Sequence, residues 1–222
     1  MNRKFIATVF AVALFFFILS FSIALPIYCR FFYYPHIEAY DLVEVSGFSR
    51  AQIVTAYNEL LTYLTVPWIP YQSGEFTCSP DAMSHFDDCK NLFLLDTAVL
   101  VFSAAVLVLL LVLRKKGKLA PFMLGKFHAS FWAAVAVIVI PLVVGSLAAV
   151  NFDKAFEIFH AVLFPGKDNW MFDWSTDQLL WILPQEFFRN CGILIGAGIL
   201  IFSGTLIAVN LCRHFSKTEG KK

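Results

Sequence analysis

The stretch LFLLDTAVLVFSAAVLVLLLVL, Leu92–Leu113, decides the architecture. It carries one ionisable residue, Asp96, and is long enough to cross a hydrocarbon core, which takes about 20 helical residues. Three more runs share its character: Phe5–Tyr28, Ala129–Val150 and Gly192–Cys212, none with a charged residue. A lipid-embedded backbone must satisfy its own hydrogen bonds, so the four runs predict four spanning helices. Ten-residue alternating strands, the mark of a membrane barrel, are absent from the sequence. The composition agrees: 59% of residues are hydrophobic, 15% are charged and the mean hydropathy is +0.71. The expected fold class is an all-α integral membrane protein, residues 1–222 forming one membrane domain with two structured, partly helical outer loops.

Lys and Arg set the expected orientation. Arg3 and Lys4 precede the first run. Arg114, Lys115, Lys116, Lys118 and Lys126 lie between the second and third, and Arg213, Lys217, Lys221 and Lys222 follow the fourth. These are 11 of the 17 basic residues, all on one side of a four-span protein, whereas Glu219 is the one acid there. That side is assigned to the cytoplasm, with both termini. Residues 29–91 and 151–191 then form outer loops. The basic start Asn2-Arg3-Lys4 also suits a secretory signal. However, the apolar run is long for one and no A-x-A site follows, so an uncleaved anchor is expected. The net charge of +1 is segregated rather than absent. The sequence shows no CxxC, P-loop, GxGxxG, GxSxG or HExxH, and no nucleic-acid partner is expected. Of the five cysteines, Cys78 and Cys89 could pair; Cys29, Cys191 and Cys212 sit at or in spans.

The outer loops carry the chemistry. Ser49-Arg50-Ala51-Gln52 fits a capping box opening a helix with apolar Ile53, Tyr57, Leu60, Leu61 and Leu64. That helix either packs on the bundle or lies in the interface with its aromatic residues in lipid. Ser79-Pro80-Asp81 is a helix start that runs into the second span. On it, His85, Asp88, Leu92 and Asp96 share one face. Asp88 is placed to orient His85, and Asp96 lies just inside the hydrocarbon, either facing the bundle interior or reaching up to headgroups. In the second loop, Phe152–Phe164 is expected to continue the third span as a helix, Pro165-Gly166 to break it, and Asp173–Asp177 to cap a short helix ending at Pro184. His160 lies in this loop with Glu157 one turn earlier. Trp170, Trp174 and Trp181 suit a headgroup region. Gly192 and Gly196 form a GxxxG that marks close packing.

Two histidines beside carboxylates at a lipid–water boundary suggest proton transfer on a lipid-like substrate. The segments HFDDCKNLF (His85–Phe93), FHAVLFPGKDNWMFDWSTDQLLWILPQEFF (Phe159–Phe188) and YNELLTYL (Tyr57–Leu64) resemble the lipoprotein intramolecular transacylase family of Gram-positive bacteria. The family pattern at the first histidine, His-Met-x-Asp-Val-Lys, reads here His85-Phe86-Asp87-Asp88-Cys89-Lys90. The His, Asp and Lys are kept, while Cys89 stands where the pattern has Val. The resemblance implies transfer of the sn-2 acyl chain of a diacylglyceryl-Cys lipoprotein to its own N-terminal α-amine, giving the lyso form. It implies His85 and His160 as catalytic residues and no cofactor.

Around that pair, Asp88, Lys90, Asn169, Trp170 and Asp177 are expected in support. Asp88 would orient His85 and Asp177 would orient His160, while Asn169 and the Trp170 indole are candidate oxyanion donors. Tyr57, Tyr63, Asp96 and Phe164 are candidate contacts for substrate. The expected partners are the diacylglyceryl lipoprotein and membrane lipid. A covalent route through Ser84 or Cys89, a zinc site on the His and Asp residues, a fatty-acid-releasing hydrolase and a non-enzymatic lipid- or partner-binding protein are the alternatives.

Overall fold

A computed structural model describes residues 2–219, with side chains through Ser216. Lys221 and Lys222, counted above among the cytoplasmic cations, lie outside the described residues. Helices are α1 (Arg3–Tyr28), α2 (Tyr34–Ala39), α3 (Leu42–Ser46), α4 (Arg50–Thr65), α5 (Pro80–Lys115), α6 (Ala129–Val150), α7 (Phe152–Leu163) and α8 (Gln185–Glu219). One hairpin, β1 (Met123–Leu124) with β2 (Phe127–His128), joins α5 to α6. The helices α1, α5, α6 and α8 are long and apolar enough to cross a membrane, as the four runs predict. The 36 residues of α5 make a helix of about 54 Å, far longer than a ~30 Å hydrocarbon core. Its apolar run, 92–113, is itself long enough for such a core. The first three turns, with Asp81, Asp87, Asp88 and Lys90, precede it.

The chain divides into two compact units. One comprises the residues up to Ile23, Thr97–Ser146 and those from Ile195 on. Its core is built from Ile6, Ala7, Phe10, Leu107, Leu110, Phe122 and Ala129, with Phe10 stacked on Phe122 at 4.5 Å. A smaller cluster joins Ile18, Val137 and Ile199. Side chains such as Val101, Phe102, Val108, Val139 and Ile201 stand exposed, as lipid-facing residues must in a spanning helix. A methyl group at Gly196 would meet the ring of Pro141, whereas one at Gly192 would meet nothing among the described residues, so the GxxxG does not form one packing face.

The other unit, Ala24–Asp96 with Leu147–Leu194, carries every candidate site residue. Its core gathers Tyr33, Ile37, Ile53, Tyr57, Leu60, Leu64, Phe76, Phe86, Leu179, Ile182 and Phe187. Helix α4 starts at the expected capping box, the Ser49 and Gln52 side chains each serving the other's backbone N–H. Its apolar face, including Tyr57 and Tyr63, is buried in this core. The reading in which those aromatic residues lie in lipid is thereby overturned. Apolar positions spaced three and four apart bury one continuous stripe, and this helix has protein to bury it against.

In the second loop α7 does not continue α6. Asn151 is extended and its side chain accepts the Lys154 N–H, so a fresh N-cap restarts the helix. The segment after Asp177 is one 3₁₀ turn, Gln178–Trp181.

Candidate active site

The start of α5 sets the position of His85. Ser79 caps the helix through the Ala82 N–H at 3.1 Å, and the Ser79 N–H donates to Asp177 at 2.7 Å. The second oxygen of Asp177 accepts the Asp173 N–H at 2.9 Å. Asp177 is 2% exposed, and its carboxylate is spent tying the two loops together. It does not orient His160 as the sequence suggested, because backbone donors at both oxygens outcompete a ring nitrogen.

His160 sits in the last turn of α7, where its Nδ1 lies 2.8 Å from the Phe156 carbonyl. A carbonyl accepts only, so Nδ1 carries the proton and Nε2 of the neutral ring keeps its lone pair. Phe164 ends α7, and Gly166, at φ 74°, reverses the chain through a left-handed conformation that favours glycine. The reversal brings Trp170 back onto His160, stacked at 4.5 Å and 25°. The Trp170 indole N–H donates to the Lys167 carbonyl, so it is not a spare oxyanion donor.

The two imidazoles meet, with ring centroids 5.7 Å apart. His85 is 7% exposed and His160 6%. Phe164 packs edge-on to His85 at 4.8 Å and contacts His160 at 5.8 Å; Phe172 closes the His85 side at 5.5 Å. Burial pushes His85 down to about 4, and the neighbouring His160 and Lys167 add to this against the Asp88 carboxylate. Burial also lowers His160, opposed by its bond to Phe156. Both rings are therefore neutral at pH 7. His85 Nε2 faces the Cys89 sulfur at 3.4 Å, and its Nδ1 has no hydrogen-bond partner among the described residues.

A polar bridge flanks the pair. Asp88 accepts from Lys167 on one oxygen and from Asn169 on the other at 3.1 Å, and Asn169 also donates to Ser84 at 3.3 Å. Burial raises the Asp88 carboxyl, but these donors outweigh it and hold it below the usual range. Asp88 thus acts on His85 through charge, not through the expected hydrogen bond, because two stronger donors already occupy it. The Asn169 amide nitrogen is likewise engaged, while its buried Oδ1 has no partner among the described residues.

The remaining candidates lie elsewhere. Tyr57 stacks on Tyr33 at 3.8 Å in the core. Tyr63 bonds Asp87, and Lys90 sits over the Tyr63 ring and donates to the Ile69 carbonyl at 2.8 Å. Tyr57 is buried in the core, and the polar ends of Tyr63 and Lys90 are taken up by Asp87 and the Ile69 carbonyl, so these three serve the scaffold. Asp96, on α5, ends the first of this unit's two segments. All five cysteines are free thiols, so Cys78 and Cys89 are not paired. Lys167, Phe156 and Phe172 were missed by sequence reading. Phe156, four residues before His160, had helical spacing as a signal; the other two had none.

The family profile described as Lipoprotein intramolecular transacylase Lit matches residues 8–188. A solved structure of the membrane integral lipoprotein intramolecular transacylase Lit from Bacillus cereus superposes at a TM-score of 0.83. It has 24% identity over 99% of this chain and 98% of that one. Another structure of that protein, with an H85A mutation, gives 0.77 at 23% identity, over 99% and 96% of the two chains. An uncharacterized protein of Aquifex aeolicus is 33% identical over 101 residues, a match spanning 45% of either chain and so under half of that relative's length.

Proposed function

This chain belongs to the lipoprotein intramolecular transacylase family, and on that footing we propose that it moves the sn-2 acyl chain of a diacylglyceryl-Cys lipoprotein to the lipoprotein's own α-amine. The observation that carries the reading is the meeting of two buried, neutral imidazoles at 5.7 Å. An α-amine has a pKa near about 8 and must lose a proton to attack an ester. The carbonyl carbon gains the C–N bond, the bond to the glycerol sn-2 oxygen breaks, and that oxygen takes up the proton. Nucleophile and ester belong to one molecule, so holding them in attack geometry is the protein's main task. Asn169 Oδ1 is placed to accept an amine N–H, and the rings of Phe164, Phe172 and Trp170 exclude the water that would turn transfer into hydrolysis.

A covalent thioester through Cys89 is disfavoured. Burial pushes that thiol up to about 12, while its neighbour His85 is pushed down to about 4, so the imidazole is a poor base for it. The basic segments at Arg3–Lys4, Arg114–Lys126 and Arg213 support termini in the cytoplasm and the His pair on the outer side. The substrate's acyl chains and membrane lipid are the expected apolar partners.

Mass spectrometry of a lipoprotein's N-terminal peptide tests the reading. The peptide comes from cells lacking N-acyltransferase that express this protein or its His85→Ala variant. Wild type should yield an acyl group on the α-amine at unchanged total mass, and the variant should not. A free amine with both acyl chains on glycerol in both samples, with expression confirmed, would overturn it.

A further inference from the structure

We propose that Cys89 is a positioning residue that holds His85 in the tautomer protonated on Nδ1, leaving that N–H to donate to the oxyanion formed at the ester carbonyl. Cys89 follows His85 by one helical turn on α5, and its Sγ lies 3.4 Å from His85 Nε2. An imidazole nitrogen is a better acceptor than a thiol sulfur, so the S–H donates and Nε2 accepts. A neutral ring has one N–H, which then must be on Nδ1. That atom is buried and has no hydrogen-bond partner among the described residues. Buried polar groups left unpaired are uncommon and costly, and a group waiting for substrate is one explanation of them.

The assignment complements His160. There the Phe156 carbonyl takes the Nδ1–H and leaves Nε2 as the lone pair. One ring thus offers a base and the other a donor, although both are neutral and 5.7 Å apart. Preorganised donors at a developing oxyanion act most strongly in such a water-excluded site. Burial keeps the Cys89 thiol protonated, as a donor must be. Valine, the residue of the family pattern at this position, could not donate.

The oxyanion role rests on the transacylase reading, whereas the tautomer does not. Two-bond proton–nitrogen spectra of the full-length, ¹⁵N-histidine-labelled protein in detergent micelles read the tautomer directly, with His85 assigned by its loss in His85→Gln. Wild type and Cys89→Ser should show Nδ1–H, whereas Cys89→Ala should move toward Nε2–H. In the lipoprotein assay Cys89→Ala should lower kcat about tenfold with KM unchanged, and Cys89→Ser should restore it. A proton on Nε2 of His85 in the wild type, measured without any variant, would overturn the proposal. So would an unchanged tautomer in a folded Cys89→Ala protein. The expected tautomers without any N-acylated product would instead sink the transacylase reading and leave Cys89's positioning role standing.

Discussion

His85 and His160 stand on helices from different loops, yet their rings lie 5.7 Å apart and share contact with Phe164. Groups that act as one unit do not contribute additively. His85→Ala and His160→Ala should each slow acyl transfer by about 10²–10⁴-fold, the usual worth of an oxyanion donor or a positioned base. The double variant should be little slower than either single one. Timed mass spectrometry of the N-terminal peptide measures this; losses that multiply would mean independent roles.

Burial of neutral His85 also shapes stability against pH. The unfolded ring takes a proton below about 6.5, while the native one resists down to about 4. Between these values the unfolded state binds more protons, so stability falls as the pH falls through this window. The loss, complete near pH 4, is roughly 3 kcal/mol for His85. Thermal unfolding in detergent should show the melting temperature dropping from pH 7 to pH 4, less steeply in His85→Gln.

Asp177 is structural. Asp177→Ala would strip the Ser79 and Asp173 N–H groups of a charged acceptor in a buried site. The expected cost is roughly 3 kcal/mol of stability, seen as a lower melting temperature. At a temperature where the variant stays folded, its kcat should match wild type. A variant of unchanged stability with collapsed kcat would return Asp177 to the reaction.

Trp170 contributes a ring face rather than an N–H to His160. Trp170→Phe should keep most of the transfer rate, while Trp170→Ala should lower it about tenfold by freeing the imidazole and admitting water. If Phe proves as damaging as Ala, the bond from the indole to the Lys167 carbonyl matters instead.

Ser49→Ala serves as a remote control. Loss of the capping box should cost about 1 kcal/mol and leave acyl transfer unchanged, because Ser49 caps the start of α4, whose buried face supports the core.

Much of this molecule is legible in its sequence. Long apolar runs, one interrupted only by Asp96, mark the spans because lipid admits few other spanning structures. Ser49-x-x-Gln52 and Ser79-Pro80 marked helix starts because capping is a local event. The end of α7 at Pro165-Gly166 was equally local. The orientation of the carboxylates was not legible. Asp88 one turn from His85 looked like its partner, yet Lys167 and Asn169, brought back by the Gly166 turn, claim both its oxygens. Tyr57 and Tyr63 looked like substrate contacts, yet the core absorbs them.

The sequence by itself determined the membrane class, the four spans, the positions of the caps and the two histidines as candidates, since each depends on composition or on neighbours a few residues away. Only the tertiary structure decided that the histidines meet, that both are neutral, and which nitrogen of each already has a partner. Those properties depend on burial and on hydrogen bonds between residues far apart in the chain, and no local pattern records them.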